Sequence, residues 1–249
     1  MAGPTRPTRR AILTAATAAV VAAVAVGYAL HRSAPDAHHP AAAPPAVVTR
    51  PPAAVVAPAR PVHRAPAVPH DRVAAAAPTA FRIKGPAFDI TASVCQMENI
   101  RPLDPPGDQL HTVCWVRSGF GVAPGSASRG TSYILGHSWA QAKLVFNPLS
   151  ELASKDIDLQ HPRVLDGVKT FPIQRLNGYR ITLQTPHGTL TYLVRQSFAV
   201  SKMQAADVHS LMANSPDRVV LITCAVAGGV DLDYNIVVYA YLHSSVAVG

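Results

Sequence analysis

The sequence predicts a mainly β fold, an eight-stranded barrel with a few short helices, preceded by a transmembrane helix and a Pro/Ala-rich stalk. Three observations predict it: an uncharged apolar run near the N-terminus, a proline-dense segment up to residue 80, and beyond it eight short runs of alternating or β-branched residues separated by turn-forming pieces. Composition shifts at residue 80, from Ala, Pro, Val and basic residues to the mixture of a globular domain. Residues 81–249 suffice to bury a core without metals or many disulfides.

The N-terminal elements follow from charge and length. Residues 1–10 form a basic segment with Arg6, Arg9 and Arg10, and Ala11 to Leu30 run twenty residues without a charge. At 1.5 Å rise per residue that run spans a hydrocarbon core of about 30 Å. Basic residues before it place the N-terminus in the cytoplasm and everything after His31 outside, so the expected location is the cell membrane, single-pass, with an extracytoplasmic domain. An uncleaved signal anchor is the preferred reading. Thr8–Leu13 also resembles a twin-arginine export signal, and cleavage stays open.

Residues 31–80 read as a disordered Pro/Ala-rich linker. Prolines every few positions remove backbone donors and favour an extended, semi-rigid conformation. His38, His39, His63 and His70 fall in it without a grouped Cys or carboxylate, so they read as solvated residues, not metal ligands. Much of the excess in the net charge of +8 also sits here or earlier, in Arg32, Arg50, Arg60, Arg64 and Arg72 besides the first three. No stretch interleaves basic and aromatic residues along one element, so nucleic acid is excluded as a partner.

The domain of residues 81–249 carries the eight strand-like runs: Phe88–Val94, His111–Arg117, Thr131–Leu135, Val164–Thr170, Tyr179–Thr185, Thr189–Val200, Arg218–Cys224 and Tyr234–Leu242. The clearest hairpin joins Tyr179–Thr185 to Thr189–Val194 through Pro186-His187-Gly188. Two helices are expected, over Lys143–Ala153 with Leu144, Phe146, Leu149 and Leu152 buried, and over Met203–Ala213 with Met203, Ala206, Leu211 and Met212 buried.

Three cysteines in an exported chain leave one over when two pair. Cys95 and Cys114 flank the turn-rich insert Arg101–Gly107, in strand-like runs that face each other across a hairpin in this reading, and a disulfide between them would contribute about 3 kcal/mol. Cys224 ends the apolar run Val219–Cys224, just before the small residues Ala225–Gly229. Alone, a buried structural thiol is the commoner explanation; an unpaired cysteine in an oxidising compartment favours a reactive one. HExxH and Cys-pair spacings are absent, so neither a metal nor a cofactor is expected.

Ile134-Leu135-Gly136-His137-Ser138 ends one apolar run and Leu221-Ile222-Thr223-Cys224 ends another. Together they resemble the sortases, of the actinobacterial, class E/F-like type. The resemblance covers most of residues 81–249, including Val145–Leu149 and Ile236–Ala240, and an N-terminal anchor is what that family leads one to expect. It implies a cysteine transpeptidase or hydrolase that cleaves an LPxTG-like sorting signal through a thioester and transfers the protein to an amine. The implied partners are surface proteins or pilins carrying a C-terminal sorting signal, with a peptidoglycan precursor amine or a pilin lysine as acceptor, and the membrane through the N-terminal helix. Cys224 is the implied nucleophile and His137 the acid, with Thr223 and Ser138 supporting substrate or oxyanion. A thiol attacks well only as thiolate, which an adjacent imidazole stabilises before donating its proton to the leaving amine.

At one point the sequence departs from that family. No arginine follows Arg218, and registering the last run by Val237–Ala240 puts Asn235 where the family's oxyanion-binding arginine is expected, with Asp233 two residues upstream in a turn or hydrogen-bonding role. Asn235 offers a neutral amide donor. Arg218, six residues before Cys224, reads as a surface residue at the opposite end of the barrel. The missing arginine motivates an alternative, a sortase-fold module with weak or no turnover that binds a surface-protein partner. A different cysteine acyltransferase of wall cross-links ranks last, because 87 positions separate His137 from Cys224.

Overall fold

A computed structural model describes residues 70–117 and 121–249. The basic segment, the transmembrane anchor at 11–30, the twin-arginine pattern and the linker up to residue 69 lie outside the described residues. Among those described, no helix is long and apolar enough to cross a membrane.

Ten strands follow in order: β1 (Ala80–Lys84), β2 (Asp89–Met97), β3 (Thr112–Val116), β4 (Thr131–Leu135), β5 (Arg163–Leu165), β6 (Val168–Ile173), β7 (Arg180–Thr185), β8 (Gly188–Ser201), β9 (Arg218–Ala227) and β10 (Val230–Ala247). Helix α1 (Asn147–Ser154) follows β4, and a 3₁₀ turn (Ala205–Asp207) and the single-turn α2 (His209–Met212) separate β8 from β9. The sheet runs β10-β9-β4-β3-β2-β1-β7-β8, and β8 pairs back onto β10, so eight strands close a ring with no free edge. β6 pairs with β8 and β5 with β6, so these two strands hang from the ring as a flap.

The barrel therefore has eight strands, with one exchange of membership. Val164–Thr170 is not a barrel strand; it folds into the hairpin β5–β6, because Asp166 and Gly167 both take positive φ, 53° and 84°, and supply a two-residue turn that matches strand twist. The vacated place in the ring goes to β1, which pairs with β2 and β7. The chain is ordered upstream of β1 as well: Asp71 N donates to Ser245 O at 2.9 Å, His70 bridges Ser245 and Val73 is buried, so residues 70–79 dock on the barrel although their composition resembles the linker.

Two apolar clusters arise from the alternation of strand side chains. One fills the barrel, with Ile83, Val113, Ile134, Ile181, Tyr192, Leu221 and Val238, plugged by Phe146 and Leu149 from the α1 region. The other lies on the outer face of β3, β4, β9, β10 and β8, with Tyr133, Leu135, Val220, Val237 and Phe198, covered by Val208 and Leu211 of the β8–β9 connection. Buried on both faces, β4 and β9 pair in parallel, which accounts for their continuous apolar composition.

The helices are shorter than expected. α1 starts at Asn147, with Pro148 in its first turn, where a missing N–H is harmless. Leu149 is buried and Leu144 and Leu152 half-buried. Residues 203–213 do not form one helix, and Met203, Ala206 and Met212 are exposed where burial was expected; only Leu211, with Val208, reaches the core. Arg218 is a second correction, for it is buried, not on the surface. Its guanidinium donates to Thr131 Oγ1 at 2.9 Å, to Ser210 O at 2.8 Å and to Ala213 O, and stacks over the Tyr239 ring. Burial pushes that phenol up to about 12, so it stays neutral beneath the cation.

Beside it, Asp217 stands at φ 51° with its Oδ1 buried and unpartnered, and burial raises its carboxyl above the usual range. A raised folded-state value means that its contribution to stability is present at acid pH and is lost as pH rises through that value. Asp217→Asn removes the ionisation and keeps a side chain tolerant of this backbone. The variant is expected to melt above wild type at pH 7, with the difference vanishing near pH 3, as thermal denaturation followed by circular dichroism will read.

Candidate active site

The site is built by strand register. In the parallel ladder Leu135 of β4 faces Ile222 of β9, and Gly136 N still donates to Ile222 O at 3.3 Å. Two residues past that pair the chain reaches His137, just beyond the end of β4, and Cys224, still within β9. On the other flank Asn235 of β10 pairs directly with Cys224, and Val200 of β8 pairs with Asn235. Cys224 and Asn235 thus face each other on neighbouring strands, and His137, just past the end of β4, lines one groove of about 500 Å³ with them.

The groove floor continues through Leu135 and Ile222. One wall is the β8–β9 connection, with Lys202, Ala205, Leu211 and Met212; the other is the β2–β3 connection, with Arg101, Leu103, Asp104 and Pro105. The β8–β9 wall is fixed from below, where Tyr133 Oη donates to Leu211 O at 2.6 Å and Arg218 holds the carbonyls of Ser210 and Ala213. The β2–β3 wall is fixed at its base. Cys95 and Cys114 are disulfide-bonded, directly paired across strands that run in parallel, so the connection between them crosses over and is not a hairpin.

Cys224 is the free thiol and is half-exposed on the floor. Beyond Leu135, β9 has lost β4 as a partner, and its backbone groups need others. Ser150 of α1 supplies them: its hydroxyl donates to Cys224 O at 2.8 Å and accepts from Val226 N at 2.7 Å. Thr223 points the opposite way from Cys224. Its hydroxyl is 2.7 Å from that of Ser138, and both residues are buried, so this pair braces β9 against the segment after His137 instead of offering a hydroxyl to the groove. Thr223 also lines the groove beside Cys224.

His137 is mostly buried, its side chain 20% exposed. Its Nε2 lies 3.0 Å from Pro105 O and 3.3 Å from Asp104 Oδ1. A carbonyl only accepts, so Nε2 carries the proton in that contact. Sequence reasoning missed Asp104, Pro105, Ser150 and both cationic wall residues; only the proline-dense insert between two cysteines gave a signal, and it was read as a turn. Among the described residues no group of three His, Cys, Asp or Glu side chains is placed to hold a metal ion.

Gly136 is there for lack of space. A Cβ on it would lie 2.5 Å from the ring of buried Phe146, whose backbone N–H donates to His137 O at 2.9 Å. Gly136→Ala is expected to destabilise by about 1–3 kcal/mol through overpacking and to slow alkylation of Cys224 by iodoacetamide. Adding Phe146→Leu should recover part of both losses, as melting and alkylation rates will show.

A family model described as the sortase domain matches residues 83–243. Similar solved structures include sortase A of Listeria monocytogenes, 15% identical, covering 70% of this chain and 92% of that one with a TM-score of 0.44. Sortase C-1 of Actinomyces oris is 16% identical, covering 66% and 73%, with a TM-score of 0.42. A sortase E mutant of Streptomyces avermitilis is 13% identical, covering 69% and 91%, with a TM-score of 0.39. No curated protein matches the chain.

Proposed function

The chain belongs to the sortase family, whose members are in general cysteine transpeptidases, and on that premise we propose that it cleaves an LPxTG-like sorting signal with Cys224 as nucleophile, His137 as acid and base, and Asn235 as oxyanion donor. The observation that carries this reading is that those three residues, one just past β4 and the others paired on β9 and β10, line one groove.

The steps follow from the residue types. His137 takes the thiol proton, and the Cys224 thiolate attacks the carbonyl carbon of the threonine in the signal. The resulting oxyanion accepts a hydrogen bond from the Asn235 amide. The carbon–nitrogen bond then breaks as the His137 imidazolium gives its proton to the leaving amine, which leaves a thioester on Cys224. An acceptor amine attacks that thioester, loses a proton to His137, and releases the thiol. The acceptor is a wall-precursor amine or a pilin lysine, the class is the actinobacterial E/F-like one, and residues 11–30 anchor the chain with the domain outside.

A second reading, a groove that binds a surface protein with little or no turnover, is favoured by the neutral Asn235 facing Cys224. One experiment separates the two. With the full-length chain and an LPxTG-type peptide, intact mass should show a thioester adduct in wild type and none in Cys224→Ala, which should also lose all cleavage. Tight binding by wild type without any adduct favours the binding module instead.

The oxyanion assignment has its own measure. Asn235→Ala is expected to lower kcat about a hundredfold with KM little changed, since loss of one such donor typically has that effect. Unchanged turnover in that variant moves the donor elsewhere.

A further inference from the structure

The β2–β3 connection does more than border the groove. Its base is the Cys95–Cys114 disulfide, whose two sulfurs lie 3.9 and 3.8 Å from Pro106 O. The next residue back is Pro105, whose carbonyl accepts from His137 Nε2, and the one before is Asp104, whose carboxylate is beside the same nitrogen. The connection is tied again at its far end, where Val145 N donates to Gln109 O at 3.0 Å. A continuous chain of contacts thus runs from the disulfide through three residues to the imidazole.

We propose that this disulfide-clamped connection positions the catalytic histidine, with Asp104 as a positioning residue that acts through His137; the inference rests on the transpeptidase reading of Cys224 and His137. Holding the proton on Nε2 leaves Nδ1 as the nitrogen free to exchange a proton with the thiol and the leaving amine. When the ring carries a second proton, Asp104 and the Pro105 carbonyl still both face its Nε2–H, so the ring keeps one orientation in either state. The same contacts stop the ring from rotating out of line. Asp104 is largely exposed, 74% of its side chain, so its own share is modest and the buried carbonyl, delivered by the clamp, has the greater one.

The test uses the full-length chain and two readouts: the second-order rate of Cys224 alkylation by iodoacetamide, and kcat and KM on an LPxTG-type peptide. With Cys95 and Cys114 bonded, Cys224 is the single free thiol among the chain's three cysteines, and it remains the single thiol in the Cys95→Ser/Cys114→Ser double variant, so alkylation reports on it alone. Asp104→Asn is expected to slow alkylation and lower kcat by about three- to fivefold with KM little changed, the range of an exposed ion pair. Asp104→Glu should recover most of that loss, which a merely structural role would not give. The double variant should lose about tenfold or more in both readouts. Rates equal to wild type in Asp104→Asn overturn the proposal, as does faster turnover in the double variant, which makes the connection an obstruction. If the double variant fails to fold, the Asp104→Asn and Asp104→Glu pair decides. If wild type cleaves no peptide, that counts against the transpeptidase reading, while the alkylation rates still decide the role of the connection.

Discussion

The parallel pairing of β4 with β9 is the constraint on which the rest of the molecule depends. Both strands are buried on both faces, one side against the barrel interior and the other beneath the β8–β9 connection. A slip of one residue between them would turn each apolar set to the wrong face, so the register is strongly specified. With Leu135 opposite Ile222, the chain just past β4 and the next residues of β9 bring His137 and Cys224 to one groove. The antiparallel partner β10 brings Asn235 to that groove from the other flank. Three residues far apart in sequence are thereby brought together by packing of the hydrophobic strands that precede them.

Stopping a strand inside a sheet creates a problem that the surrounding residues solve. Where β4 ends, the backbone of β9 around Cys224 loses its ladder on the β4 side, and Ser150 replaces it there with one hydroxyl that both donates and accepts. The turn after His137 is held by Asn147, which accepts from Trp139 N and Leu144 N and donates to Trp139 O, while Asp231 of the β9–β10 hairpin accepts from Ala140 N. Helix α1 is therefore both a plug for the barrel and a bracket for the reactive strand end. The thiol sits on backbone whose hydrogen bonds are complete, which is what keeps a residue at the edge of a groove in one place.

What could be read in the sequence were the features encoded locally. The runs ending in His137 and Cys224 are apolar and bounded by small residues, the β7–β8 hairpin alternates around Pro186-His187, and three cysteines leave one over once two pair. Features settled by distant partners were not legible. β1 is five residues beside a proline-rich stretch, and it becomes a strand because β2 and β7 present edges on both sides. Arg218 looks solvated in sequence because its acceptors are carbonyls and a ring on other segments. The crossover that makes β2 and β3 parallel, and so turns the proline-rich insert over the groove, has no local signature. Composition alone likewise assigns residues 70–79 to the linker, whereas their hydrogen bonds to the last strand are made 174 residues away in sequence.

Charge in the groove is arranged in a way that bears on how such a site works. The position facing Cys224 on β10 holds a neutral amide, while the cations, Arg101 and Lys202, stand on the two connections that form the walls. A donor fixed in a strand needs no reorganisation when an oxyanion forms, whereas a charge at the end of a long side chain on a connection must be brought to it. A neutral fixed donor also places less attraction on anionic ground-state groups, so its contribution is concentrated where negative charge develops. Apolar floor residues Leu135 and Ile222 complete the groove, and one of its walls, the β2–β3 connection, also carries the contacts to the His137 imidazole.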